Sequence, residues 1–268
     1  MHEQNELYAS KIFFNAALPL LKVIANDVPS LKAQFDKITA VLQVSALDPE
    51  APAGKYATHF IITEGEWETK LDAVYENPDV ELEFKNIEAM NAFFKGKIGP
   101  ATLPKMKGVV KHFGAFKAML MTLLKLSALT GATEAPKDEE TQTLMVKCFF
   151  YLLSSGISQL NKMGHTEIKE WTTKSPDRVY AFAVNGHPEV SAFIRIKAGK
   201  SRAGRGEYKR AMPFFTLRFD CLTSALGILL STDDMLEATK AGRLIMDGGP
   251  EFGAQLGGFM LEVGALAK

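Results

Sequence analysis

The sequence repeats itself, and that repeat limits what the chain can fold into. Val80-Glu-Leu-Glu-Phe84 aligns with Phe215-Thr-Leu-Arg-Phe219 at an offset of 135, and Lys107-Gly-Val-Val with Ala241-Gly-Arg-Leu at 134. Phe113-Gly-Ala115 recurs as Phe252-Gly-Ala254 at 139, which reads as a five-residue insertion around Gly248-Gly249. Three matches in one order across 268 residues predict a duplication, hence two domains of similar build. Between Ala128 and Thr143 the chain is small, polar and acidic, with Gly131 behind a long apolar segment and Pro136 beyond it. These are helix stop signals. The reading is a domain over 1–131, a linker over 132–142 and a second, more divergent domain over 143–268.

Apolar periodicity supplies the elements. Leu7, Ile12, Phe13, Ala16, Leu20, Val23 and Ile24 recur at helical spacing over 6–25, and Pro19 must kink or split that helix. Strands are expected at 38–47, 56–63, 67–74, 80–84 and 108–111, with a hairpin at Glu64-Gly65-Glu66. Asn86 is placed to cap a short helix carrying Ile87, Met90, Phe93 and Phe94, and a final helix spans 113–126. The second half predicts a helix over 143–161 and strands at 167–173, 178–184, 190–197, 215–219 and 242–246. Asn185-Gly186 reads as a hairpin turn, and Ser231-Thr-Asp-Asp234 as a capping box. Each half is therefore α+β: a mainly antiparallel sheet of about five strands covered by helices.

At these residues the first half resembles the sterol-carrier-protein family, in its type 2 lipid-binding domain. The likeness rests on the strand Asp79–Phe84 running at once into the helix 87–94, on the Gly-Lys-Ile-Gly-Pro turn at 96–100, and on Met106-Lys-Gly-Val-Val feeding the helix that begins Phe113-Gly-Ala-Phe. It covers Phe35 to Leu126, and more weakly Phe215 to Val263. The resemblance implies two tandem copies, each enclosing an apolar tunnel for a fatty acyl or sterol-like lipid. It further implies pocket walls made of Met90, Phe93, Phe94, Met106, Phe113, Phe116, Met119, Leu120 and Leu123 in the first half. In the second half the corresponding wall is Leu226, Leu229, Phe252, Leu256, Phe259 and Met260.

The remaining residues say more about what is excluded. Thirty-one basic side chains balance 31 acidic ones, without the basic excess expected of a nucleic-acid binder. The five histidines show no metal spacing, and no nucleophile elbow, phosphate loop or dinucleotide fingerprint occurs. No catalytic residue, cofactor or metal is expected, and the chain reads as a binder, not an enzyme. Cys148 and Cys221 lie in apolar stretches and read as buried free thiols. The N-terminus makes a poor signal peptide, and no uncharged run of about 18 apolar residues occurs, so a soluble cytoplasmic protein is expected.

The basic segment Lys197–Arg210 has two readings: a flexible, solvated excursion between strands, or a surface for anionic groups through Lys200, Arg202 and Arg205. The second reading allows a transient membrane-surface contact. Nucleic acid suits it less, because Tyr208 is the sole aromatic beside the charges. The expected function is binding or transfer of an apolar lipid, with further oligomerisation left open. The alternative is a structural or regulatory protein-interaction module whose cavities are filled by side chains.

Overall fold

A computed structural model describes residues 2–267. It divides into two compact units, the first built on Met1–Ala128 and the second on Leu129–Ala265. Unit 1 runs α1 (Gln4–Ile12), a π-helical turn (Phe13–Ala17), α2 (Leu20–Asp27), α3 (Pro29–Phe35), β1 (Thr39–Leu47), β2 (Lys55–Thr63), β3 (Glu66–Lys70), β4 (Val80–Phe84), α4 (Ile87–Phe94), β5 (Lys105–Lys107) and α5 (Phe113–Thr130). Unit 2 runs α6 (Glu139–Lys162), α7 (Thr166–Lys174), β6 (Arg178–Val184), β7 (Ala192–Lys197), β8 (Lys200–Arg205), β9 (Phe215–Phe219), α8 (Leu222–Leu229), α9 (Met235–Lys240), β10 (Leu244–Asp247) and α10 (Pro250–Ala267).

The fold is α+β, and the two five-stranded sheets share one topology. Their orders are β3-β2-β1-β4-β5 and β8-β7-β6-β9-β10. In each, the first strand in sequence pairs antiparallel with the second and parallel with the fourth, and the remaining pairings are antiparallel. Register also corrects the repeat alignment. Leu82 faces Met106 across β4–β5, and its counterpart Leu217 faces Met246 across β9–β10, so these edge strands correspond 140 positions apart. The offset of 134 for Lys107 is overturned. The extra residues lie before β10, where unit 2 inserts α9, and not at Gly248-Gly249.

Local chemistry explains the other departures. Residues 167–173, expected as a strand, lie in helix α7, where Ile168, Trp171 and Thr172 are buried at helical spacing. The strand expected at 108–111 sits three residues earlier, because Gly108 has φ +74° and a Cβ there would fall 1.8 Å from the Asp79 carbonyl oxygen. Up to Arg205 the basic segment Lys197–Arg210 is not a loose excursion, whereas 206–210 lie outside any helix or strand. Ala198 and Gly199 both take positive φ, 50° and 72°, and close a tight hairpin into β8. Between β6 and β7, Asn185-Gly186 belongs to a longer connection that includes a 3-10 turn at Pro188–Val190. The cap of α9 is Asp234, whose carboxylate accepts from the amides of Leu236 and Glu237, and not Ser231. Before Pro19 the helix opens by one residue, with Leu18 N–H donating to Phe13 five residues back. This π turn accommodates the proline without breaking the run. Cys148 is buried as expected, whereas Cys221 is exposed; neither is in a disulfide.

Alternation gives each sheet one apolar face. In unit 1 it carries Leu42, Val44, Phe60, Ile62, Val80, Leu82 and Phe84 beneath the N-terminal helices, where Thr58 donates to the Phe14 carbonyl across 2.9 Å. The other face is polar yet also buried. There Glu81, 2% exposed, accepts from Gln43 (2.7 Å), Ser45 (2.7 Å), Lys55 (2.6 Å) and Lys107 (3.0 Å). The chain between β3 and β4 lies over this row, with Tyr75 N–H donating to Gln43 and His59 Nδ1 2.8 Å from the Ala73 carbonyl.

Burial alone would push the Glu81 carboxyl up, but hydrogen bonds from Lys55, Ser45, Gln43 and Lys107 outweigh it and hold the pKa at about 2. A depressed folded value means stability that is present above the ordinary pKa of 4.5 and lost as pH falls from there toward about 2. Glu81→Ala takes the shared acceptor from Gln43 and Ser45 and leaves Lys55 and Lys107 with Glu83 alone, and should lower unfolding free energy by about 2–4 kcal/mol at neutral pH. In acid the variant and the wild type should converge; denaturant titrations at neutral and acid pH check both expectations.

Candidate functional site

The expected pocket walls fall into three groups. Met90, Met119, Leu226, Leu229, Leu256, Phe259 and Met260 are buried. Phe93, Phe94, Phe116, Leu123 and Phe252 are half-buried. Met106, Phe113 and Leu120 are exposed. In unit 1, Phe94 stacks on Phe13 with ring centres 5.1 Å apart and lies 5.9 Å from Phe84, which is 5.3 Å from Phe93. This cluster joins the N-terminal helical run, β4 and α4, and leaves Phe93 and Phe94 partly open. α4 is held by its Asn86 cap and by Asn91, which donates to the Glu6 carbonyl across 2.9 Å.

Position in the ladder makes Met106 the most informative member. Directly opposite Leu82, it belongs to the apolar face of the sheet, yet it is 57% exposed. The apolar face of unit 1 is therefore uncovered at its β5 edge. Unit 2 differs at the equivalent place. There α10 packs so closely that a Cβ on Gly253 would lie 2.4 Å from Met246 Sδ, and one on Gly156 of α6 would lie 2.5 Å from Val263. Phe252 of α10 meets Phe214 at 4.8 Å, and Phe259 meets Trp171 at 4.9 Å.

Unit 2 does carry an open groove of about 480 Å³ between α7 and α10, lined by His165, Glu167, Glu170, Trp171, Lys174, Ala254, Gln255, Gly258, Phe259 and Glu262. Of the expected wall it contains only Phe259. Its floor is aromatic, while its rim holds three carboxylates, which disfavours an anionic headgroup. Deeper in this unit the Tyr180 hydroxyl is buried among the rings of Trp171, Phe214 and Phe215, without a hydrogen-bond partner among the described residues.

The basic residues are divided between faces. Alternation along β8 puts Lys200 and Arg202 on the outer face, opposite Lys197 and Arg195, and turns Arg205 to the other, where it lies 5.1 Å above the Tyr151 ring. The three do not converge on one anion. β8 is an edge strand, and charges there guard a sheet against edge-to-edge pairing.

Sequence spacing missed a further polar group because its members come from separate segments. Ligand-type atoms of His2, Asp48 and Glu50 lie within 4.8 Å of one another. His2 Nε2 is 3.0 Å from buried Asp48, and Nδ1 is hydrogen-bonded to Glu88, so both ring nitrogens are already engaged by carboxylates. The Glu88 hydrogen bond raises the His2 pKa against the opposing effect of burial, with help from Asp48. A raised value stabilises the fold fully below the ordinary 6.5, and the effect fades as pH climbs through the folded value. His2→Ala should therefore cost stability at about pH 6 and much less at about pH 9, as read by chemical denaturation.

Among the described residues, three helical stretches are long and apolar enough to cross a membrane by length and composition alone, although each contains charged side chains. For Gln4–Asp27 and Glu139–Lys162 the apolar window is 83% buried within the protein, whereas for α5 it is only 33% buried. On α5, Ala115, Ala118, Met119, Thr122, Leu126 and Leu129 form the buried stripe, and Phe113, Lys117, Leu120, Met121 and Leu124 form an exposed stripe opposite.

No family model matches this sequence, and no curated protein matches it. Among solved structures, the chain is similar to a crystal structure of sterol carrier protein 2, with 14% identity and a TM-score of 0.33, covering 43% of this chain and 95% of that one. It is also similar to the solution structure of a conserved hypothetical protein from Thermus thermophilus, whose description proposes a sterol carrier protein. That match has 15% identity and a TM-score of 0.30, and covers 47% of this chain and 88% of that one.

Proposed function

We propose that this protein binds an apolar lipid without transforming it, and that unit 1 is the part that does so. The observation carrying this reading is Met106, an apolar-face residue left exposed at the β5 edge where unit 2 has α10 packed against Met246. The half-buried rings of Phe93 and Phe94 on α4 extend the same apolar character. Sequence likeness to the sterol carrier domain, strongest over Phe35–Leu126, supports assigning the ligand to this half. The shared strand order of the two sheets supports a duplication in which one copy keeps an open site and the other has filled it with side chains. Buried Leu226, Leu229, Leu256 and Phe259 make unit 2 the filled copy, which is where the protein-interaction alternative retains its support.

Burying about ten methylenes at about 0.8 kcal/mol each contributes about 8 kcal/mol, enough for micromolar affinity before ordering costs. A non-catalytic role agrees with the chemistry of the Glu81 network, where each carboxylate oxygen is occupied by lysine, serine or glutamine donors.

Met106→Asp places a charge on the exposed apolar edge, at little cost to folding because the side chain is already in water. It should weaken displacement of a fluorescent fatty acid by about tenfold or more while leaving the unfolding midpoint almost unchanged. Phe259→Ala should do the reverse, costing about 3–5 kcal/mol of stability and leaving lipid affinity intact. Equal affinity in wild type and Met106→Asp would place the ligand elsewhere.

A further inference from the structure

We propose that the exposed stripe of α5, together with the segment leading into it, docks on the surface of an anionic lipid bilayer. This goes beyond lipid binding in unit 1 and does not require it. From Ala89 to Thr133 the sequence contains seven lysines and no aspartate or glutamate. Lys107 is engaged by Glu81 and Glu83. Lys97, Lys105, Lys111 and Lys117 are exposed, and none of them is in an ion pair among the described residues. Between and beside them Ile98, Leu103, Val110, Phe113, Leu120 and Leu124 are exposed, Val110 to 97%. Large apolar side chains at this density are costly against water and match the boundary of a bilayer.

The helix itself separates this face from a core face. Taking α5 onto α10 at the offset of 139 set by Phe113 and Phe252, the exposed Leu120, Met121 and Leu124 correspond to Phe259, Met260 and Val263, all buried. Within the same stripe Lys117 replaces Leu256, which is 1% exposed. A lysine amid leucines spoils a core but suits an interface, where its stem lies along apolar surface and its ammonium reaches the headgroups. Charge also selects among occupants. A two-fold dimer through this face would set its unpaired lysines against their own copies, whereas anionic headgroups neutralise them.

Sedimentation of the full chain with vesicles tests this, using phosphatidylcholine alone and phosphatidylcholine with phosphatidylglycerol. Binding should appear only with the anionic lipid and weaken as salt rises. The triple variant Lys105→Gln, Lys111→Gln, Lys117→Gln should reduce partitioning about 100-fold at unchanged thermal stability. Leu120→Ser with Leu124→Ser should also reduce it, while Lys200→Gln with Arg202→Gln should not. Absence of vesicle binding, equal binding to neutral vesicles, or loss only in the Lys200 and Arg202 variant would each overturn the proposal. So would a concentration-dependent dimer that the leucine variant dissolves while vesicles bind nothing.

Discussion

A parallel ladder between the first and fourth strands organises both units. Because β1 and β4 run the same way, the chain cannot return by a tight turn and must cross the sheet before adding β4. In unit 1 that crossing buries the polar face, and the central ladder then needs its own charge compensation. Gln43 and Ser45 on β1 and Glu81 on β4 share one hydrogen-bonded network with lysines from both flanking strands. Unit 2 repeats the ladder without the buried charge. Its outer face relies on exposed pairs, Arg218 with Asp247 and Arg195 with Asp177, which contribute little to stability.

A shared frame makes the difference between the terminal helices meaningful. α10 closes the apolar face of unit 2 through glycines that permit contact with Met246 and Met235, and its stripe of Leu256, Phe259 and Val263 is buried. The corresponding stripe of α5 faces water, and the corresponding sheet edge at Met106 is open. α10 covers the apolar sheet face of unit 2 at the Met246 edge, whereas unit 1 leaves apolar side chains exposed at Met106 and along α5. The lysines accompanying that surface give it an electrostatic preference as well as an apolar one.

The sequence made much of this legible, for reasons that can be traced to particular residues. Val80–Phe84 and Phe215–Phe219 alternate cleanly because one side of each strand meets a core, so their register and position could be read directly. The Asn86 cap was equally plain. Short elements were not. In Thr166–Lys174, nine residues with two charges of each sign offered too few apolar positions to separate helix from strand. The β5 strand lies earlier than expected because Gly108 turns the chain at positive φ against the Asp79 carbonyl, where any Cβ would clash, an approach that only the fold creates. The Glu81 network was invisible for a related reason: its donors lie 26 to 38 residues from Glu81. The pocket wall was named as one set, yet burial separates it into core residues and exposed ones. Helical periodicity cannot make that distinction when a helix is apolar on both sides.

The central claim is that unit 1 carries a lipid. Its most direct test is native mass spectrometry of the freshly purified full chain, followed by organic extraction and identification of what is released. One equivalent of a lipid-mass adduct, lost in Met106→Asp and retained in Phe259→Ala, is the predicted result. A bare chain mass that fatty acids, acyl thioesters and sterols all leave unchanged would contradict it.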